Sequence, residues 1–235
     1  MRNETSVVKS ETWFKRLIKV LLLVSVSLVV LLFVARLIWR FSGSNQWEFV
    51  GERNGVKVYS LKAPGSDLET VKGVVRVSST LASLARMTQD ADLCTDLGCY
   101  ESKMLERVDD QVQYFSCRFD FPFPFRTREL VVRTQTYQNP HTKEVLVWVA
   151  AAPDKTPPND CCFRVTDMNN TWRYTPLGNG QVEVEHVENA NGGGYVPDLV
   201  LNMGRRNIMF TALPKLQGIL NKKYQNAKSD FIKEE

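Results

Sequence analysis

The segment Phe119-Asp120-Phe121-Pro122-Phe123-Pro124-Phe125-Arg126-Thr127-Arg128-Glu129 constrains the fold more than any other stretch of the chain. Pro122 and Pro124 carry no amide donor, so a central sheet ladder cannot run through them. The flanking runs read as strands, so the chain leaves the sheet here and returns through the charged Arg126-Thr127-Arg128-Glu129. Four phenyl rings at alternating positions ride on that excursion. They either line the mouth of a cavity or plug the bottom of an ordinary core.

An appendage precedes the globular part. Val20 to Ala35 runs without a charge or a proline, and extension through Leu17, Ile18, Leu37, Ile38 and Trp39 admits only Lys19 and Arg36. That length suits a helix crossing a bilayer, which needs about 20 residues. A cleaved signal peptide is the competing reading, but Arg36, Trp39, Arg40 and Phe41 stand between the apolar core and the small residues Ser42 and Ser44. The expected organisation is a cytoplasmic segment 1–16, a transmembrane signal-anchor helix 17–39, a polar linker 40–46, a folded domain 47–225 and a polar, fraying tail 226–235. Arg2, Lys9, Lys15, Arg16 and Lys19 precede the apolar core, whereas Arg36 and Arg40 follow it. The positive-inside rule then places the domain outside the cytoplasm.

The net charge of +4 belongs to this flank, because residues 1–46 carry +5 and the remainder carries −1. With no basic stripe interleaved with aromatics, nucleic acid is excluded as a partner. The five cysteines are an odd number, and Cys94 and Cys99 could close a short disulfide loop in an exported domain. Adjacent Cys161 and Cys162 cannot both face one way on a strand, so at most one is expected to find a distant partner. No CxxC occurs, and His141 and His186 stand apart from any thiol, which argues against a zinc site.

From Trp47 onward strands dominate. Asn54-Gly55 marks a hairpin between Trp47–Arg53 and Val56–Ala63, and a third strand covers Val71–Val77. A short helix capped by Ser78-Ser79-Thr80 spans about 80–89, and Asp90–Leu97 reads as irregular and acidic. Strands follow at Ser102–Val108, Gln111–Phe121, Glu129–Tyr137, Val145–Ala152, in the Cys162–Thr175 region and at Gln181–Glu188. Pro197 and Asp198 open the one sizeable helix, whose apolar face is interrupted by Pro214. The architecture expected is α+β: a curved antiparallel sheet around one long C-terminal helix, a shape that leaves a hollow suited to an apolar molecule.

This pattern resembles the START domains (steroidogenic acute regulatory protein-related lipid transfer), most closely their short bacterial members. The likeness is carried by Trp47 with Gly55-Val56-Lys57-Val58-Tyr59, by Lys72-Gly73, and by Asp90 to Leu105. It continues through Phe121-Pro122-Phe123-Pro124 with Arg128-Glu129, Trp172 to Pro176, and Gly193-Gly194-Tyr195-Val196-Pro197 with Leu199 and Asn202. Two positions depart from the family pattern: no tryptophan stands near Asp90–Asp96, and Arg128 is followed by Glu rather than Asp. The resemblance implies a helix-grip fold enclosing a lipid or similar hydrophobic ligand, with no required metal, nucleotide or other cofactor.

Tyr114, Phe121, Phe123, Val147, Val149 and Trp172 are the expected ligand-binding residues of the sheet and its loop, with Leu199, Met203 and Phe210 from the helix. Arg118 and Arg133, partnered by Asp120 or Glu185, are the polar groups that would orient a headgroup. No catalytic residue is assigned, because the chain has no Gly-x-Ser-x-Gly, no Walker motif and no histidine pair, and Gly192-Gly193-Gly194 lacks the Lys and Ser/Thr of a phosphate loop. The leading expectation is a membrane-anchored module that binds or transfers a lipid. The alternatives are a cyclase- or hydratase-like enzyme of a related fold and a protein-interaction module using the aromatic-proline segment.

Overall fold

The computed structural model describes residues 4–157, 159–194 and 196–234. Arg2 of the basic flank, Pro158 of the proline-rich loop and Tyr195 of the glycine-rich turn lie outside the described residues. Helix α1 (Glu4–Phe41) leads the chain. Its apolar part, Trp13–Phe41, has 29 residues, a length of about 43 Å at the helical rise, which exceeds a hydrocarbon core. Leu21, Leu23 and Leu31 are all more than half exposed, so the domain does not cover this surface.

Among the described residues, eleven strands form one curved sheet. They are β1 (Trp47–Arg53), β2 (Val56–Leu61), β3 (Thr70–Ser78), β4 (Tyr100–Arg107), β5 (Val112–Phe119), β6 (Arg128–Gln138), β7 (Val145–Ala151), β8 (Phe163–Arg164), β9 (Asp167–Gly178), β10 (Gln181–Glu188) and β11 (Ala190–Asn191). The order across the sheet is β1-β2-β3-β10-β9-β7-β6-β5-β4, with β11 beside β9. All pairings are antiparallel except that of short β8 with β6, a parallel contact that the Cys162–Thr175 reading did not contain. Asn54 and Gly55 take positive φ at the first hairpin, as its tight turn requires.

Helices α2 (Leu81–Thr88) and α3 (Asp92–Asp96) cover part of the concave face. Thr80 caps α2 by accepting from the Ser83 amide at 3.1 Å. The acidic stretch expected to be irregular thus holds a short helix. Its buried Leu93 joins the main core, which a charge count of the segment does not reveal.

Helix α4 (Asp198–Ala212) is followed by a 3-10 turn at Leu213–Lys215, by α5 (Leu216–Ile219) and by a π-turn at Leu220–Tyr224. Pro214 bends the path without ending it, since helical geometry resumes on its far side. Met209, Leu213, Leu216 and Leu220 are buried against Val58, Val75, Val182 and Val184 of the sheet. The closest approach is at Gly73, where an added Cβ would lie 2.3 Å from Leu213 Cδ1 and 3.1 Å from Met209 Sδ.

The tail differs from the fraying end expected from its polar composition. Ile232 is buried, and the Glu234 carboxylate accepts from the amides of Leu81 and Ala82 at 2.9 Å each. A carboxylate there meets the orphan donors and positive end of α2. Disulfides join Cys94 to Cys99 and, across one peptide, Cys161 to Cys162. The second replaces the distant partner expected for one of that pair. Cys117 is a buried free thiol, with Cys94 Sγ 2.9 Å away.

Gly73→Ala should destabilise the domain by about 1–3 kcal/mol through overpacking against Leu213. Thermal denaturation would measure this, and Gly73→Ala combined with Leu213→Ala should recover part of the loss.

Candidate functional site: a polar row across the concave face

Strand alternation and register place defined rows of side chains beneath α4. One row runs Val58, Gly73, His186, Trp172, Val147, Thr136 across β2, β3, β10, β9, β7 and β6. Because Gly73 meets Leu213 and Met209, this row faces the helix. The next row on the same face contains Ser60, Val71 and Glu188, then Asn170, Val149, Thr134 and Gln113. Beyond it come Phe115, Val132 and Ala151. A band of polar side chains therefore crosses an otherwise apolar surface.

The exposures along β7 mark where packing ends. Val145 and Val147 are both 0 % exposed, whereas Val149 and Ala151, in phase with them on the same central strand, are only half-buried. Asn170 on neighbouring β9 is half-buried too. At core density such positions would be closed off, so packing is looser at Val149, Ala151 and Asn170, while Phe115 and Val132 beside them are buried in a second cluster with Val165 and Met168.

The polar groups in this region are held in different ways. His186 stacks on Trp172 with ring centroids 3.9 Å apart, and its Nδ1 lies 3.1 Å from the Thr171 carbonyl oxygen. Burial pushes the His186 pKa down to about 4, and the Thr171 carbonyl opposes that shift. Glu188 is pushed up to about 7 by burial, against the pull of Arg205. Arg205, on α4, is 5 % exposed and sits 3.9 Å from Glu188 through Nε. Its Nη1 donates to the Glu69 carbonyl at 2.6 Å, while Nη2 is buried without a hydrogen-bond partner among the described residues. Arg206 forms a charge-assisted pair with Glu69, with Nη2 at 2.6 Å from both carboxylate oxygens. At the far end of the row Gln113 is 0 % exposed, and neither its Nε2 nor its Oε1 has a partner among the described residues.

The expected site residues divide between the two faces of the sheet. Val147, Val149 and Trp172 lie on the concave face. Tyr114, Arg118, Arg133 and Glu185 lie on the convex face, in the opposite strand phase to Gln113, Phe115 and His186. There Arg118 pairs with Glu101 at 2.5 Å, Arg133 donates to Gln135 at 2.9 Å, and Glu185 pairs with Lys72 at 3.3 Å. Arg118 also lines a polar cavity of about 580 Å³ on that outer face, with Glu129, Arg164 and Lys103. Asp120 instead anchors the aromatic-proline turn, accepting from Tyr100 at 2.8 Å and Thr127 at 2.6 Å.

Phe121 lies under the Arg128 guanidinium at 4.3 Å and against Gly192, whereas Phe123 is 98 % exposed. Leu199 and Met203 face outward from α4, and Phe210 packs on β1 beneath Arg53. Sequence reasoning missed Gln113, Thr134, Asn170, Glu188 and Arg205. The available signal was a polar residue in the apolar phase of its strand: Gln113 alternates with Phe115, and Glu188 with Val184.

The arrangement of a curved antiparallel sheet gripping a bent C-terminal helix matches solved structures. A STAR-related lipid transfer protein from Xanthomonas axonopodis superposes with a TM-score of 0.69 at 24 % identity, covering 75 % of this chain and 99 % of the other. The lipid transfer and protein localisation domain of human StarD13 gives 0.64 at 15 % identity, over 74 % and 88 % of the two chains. Human StAR-related lipid transfer protein 5 gives 0.62 at 14 % identity, over 76 % and 88 %. The chain has the START fold. In sequence it is 25 % identical to an uncharacterised protein of Pseudomonas aeruginosa over 161 residues, 68 % of this chain and 79 % of that one. No family model matches the chain. In this START fold the polar row spans the concave face that the C-terminal helix grips.

Two opposed titrations follow from the row. Glu188 binds its proton more tightly folded than unfolded, so its contribution weakens stability as pH rises from about 4.5 to about 7. His186 binds its proton less tightly when folded, so its contribution strengthens stability as pH rises from about 4 to about 6.5. Glu188→Gln should therefore turn a shallow pH profile of melting temperature into one that rises between pH 4 and 6.5. A variant profile parallel to the wild type would show that Glu188 does not titrate in this range.

Proposed function

We propose that this chain is a membrane-anchored carrier or sensor that holds a lipid or comparable hydrophobic molecule between its sheet and C-terminal helix. The observation that carries the reading is the abrupt change along β7, from fully buried Val145 and Val147 to half-buried Val149 and Ala151. Apolar surface left unpacked beside buried polar groups is what an amphiphile needs: oily walls and a few fixed hydrogen-bonding groups. The START fold, shared with lipid transfer proteins, supports the same reading.

The anchor reading rests on α1 and its contacts. Asp67 receives Arg36 Nη2 at 3.3 Å, and its carbonyl accepts from Trp39 Nε1 at 3.2 Å and from Asn202 Nδ2 at 3.1 Å. One loop residue thus ties the last turns of α1 to the start of α4. Leu199, Val200, Met203 and Ile208 of α4 are exposed, so an apolar strip stands close to the end of the span. A chain held in this way presents the helix side of the domain to the bilayer, raising the local concentration of lipid at its site. Two disulfides fit an oxidising compartment, in line with a domain on the far side of the membrane from its basic N-terminal flank.

We read the domain as non-enzymatic. Among the described residues no hydroxyl or thiol is hydrogen-bonded to His186, whose Nδ1 lies against the Thr171 carbonyl, so no nucleophile–base pair supports a catalytic alternative.

The full chain purified in a mild detergent should carry about one tightly held lipid beyond those around α1. Val149→Phe, which fills the half-buried stretch while leaving α1 untouched, should lose that lipid but retain the surrounding ones. Native mass spectrometry of both proteins makes the comparison. Equal lipid content in wild type and Val149→Phe, with both folded, overturns the carrier reading.

A further inference from the structure

Three cysteines converge where α3 meets β5. Cys94 lies within α3, Cys99 stands just ahead of β4, and Cys117 sits on β5 in the phase of Phe115. Their sulfurs all lie within 4.8 Å of one another. Cys94 is bonded to Cys99, yet its Sγ is also 2.9 Å from that of Cys117, the free thiol of the cluster. Closing that gap to a bond of about 2.05 Å asks for a shift of less than about 1 Å. A buried thiol that only fills space is inert, whereas this one stands against the kind of bond that thiolates cleave. The geometry points to a thiol–disulfide exchange site, in which Cys117 displaces Cys99 from Cys94 and the free thiol passes from the interior to the start of β4.

In this step Cys117 gives up its proton, its thiolate attacks Cys94 Sγ, and a Cys94–Cys117 bond forms as the Cys94–Cys99 bond breaks. The electron pair leaves with Cys99 Sγ, which takes up the proton, so nothing is oxidised or reduced overall. Burial pushes the Cys117 pKa up to about 12, which leaves little thiolate near neutral pH and makes the step slow. Cys99 is half-buried while Cys117 is buried, so the leaving sulfur ends in a wetter place than the attacking one began. A metal held by the same three sulfurs is the weaker reading, because Cys94 and Cys99 are joined and neither offers a thiolate.

The exchange re-routes a covalent tie. Asp96 of α3 receives Lys223 Nζ at 2.7 and 2.8 Å, and Asp90 accepts from the Tyr224 hydroxyl at 2.7 Å. The α3 segment thus already holds the end of the C-terminal helical stretch, and a Cys94–Cys117 bond fastens both to the sheet. The two bonds also differ in reach, spanning 23 positions for Cys94–Cys117 and five for Cys94–Cys99. An unfolded chain closes the shorter loop more readily, so the longer one forms only where folding has brought α3 onto β5.

The test maps the linkages in the oxidised full chain, kept folded in a mild detergent overnight at about pH 8 and then stopped with acid. Digestion with trypsin and Asp-N, which cuts ahead of Asp96 and so separates Cys94 from Cys99, precedes non-reducing mass spectrometry. Both Cys94–Cys99 and Cys94–Cys117 should be found. Iodoacetamide present during the incubation should label Cys99, in chains whose Cys94 is joined to Cys117. A chain equilibrated in guanidinium chloride should show a ratio of Cys94–Cys117 to Cys94–Cys99 about tenfold lower than the folded chain. A single linkage in the acid-stopped folded sample, whichever it is, overturns the proposal. So does a label absent from Cys99, or an equal ratio in the folded and unfolded chains. Cys99→Ser should form the Cys94–Cys117 bond when its two thiols are oxidised by glutathione disulfide, which leaves as two glutathione thiols. Failure of the folded variant to form that bond overturns the proposal as well, and the wild-type mapping stands even if Cys99→Ser does not fold.

Discussion

The domain depends on one close contact, the seat of the C-terminal helix on Gly73. A residue without a side chain at the middle of β3 lets Leu213 and Met209 settle directly onto the sheet. Around that point Val58, Val75, Val182 and Val184 are buried. A bent helix resting on a concave sheet at one place must lift away from it elsewhere, because the two surfaces curve differently. The main core extends from this seat across β10, β9 and β7 and under α2, and a second cluster forms around Phe115, Val132, Val165 and Met168.

The order of strands, the first hairpin, the capped helix and the long C-terminal helix were legible in the sequence because each has a local cause. Asn54-Gly55 requires a tight turn, Thr80 caps a helix, and Pro122 and Pro124 forbid a ladder. The choice of face was not legible in the same way. Alternation separates Tyr114, Ser116 and Arg118 from Phe115 and Cys117, yet it does not say which set looks inward. Charged Arg118 and Arg133 seemed suited to orient a ligand, but on the convex side Arg118 pairs with Glu101 and Arg133 donates to Gln135. What the pattern did contain was the exception: Gln113 and Glu188 sit in phase with valines and phenylalanines. A polar residue that breaks an apolar phase is a better pointer to a site than a charge in a polar phase, because burial has to be justified by a partner.

The packed tail shows the same limit from the other direction. Lys228, Lys233 and Glu234 read as solvated, and composition gives no reason to order them. The cause is tertiary: the buried first amides of α2 need an acceptor, and Glu234 provides it after the chain has circled the whole domain. Contacts between residues more than 150 positions apart leave no local trace. The same holds for Asp67, whose pairing with Arg36 and Asn202 joins α1 and α4 through a loop that reads only as a turn.

The distribution of charge over the site has a further physical consequence. Glu188 and Arg205 link sheet and helix at the end where α4 is held least firmly by apolar contacts, next to Asp67 and the last turns of α1. A buried pair of this kind contributes little net stability, because desolvation offsets most of the attraction. Its value is directional: Arg205 bonded to the Glu69 carbonyl and facing Glu188 fixes the rotation of α4 about its own axis. That rotation keeps Asn202 and Arg205 turned inward and leaves Leu199 and Met203 outward. Polar and ionic contacts beneath α4 therefore set which of its faces meets the sheet.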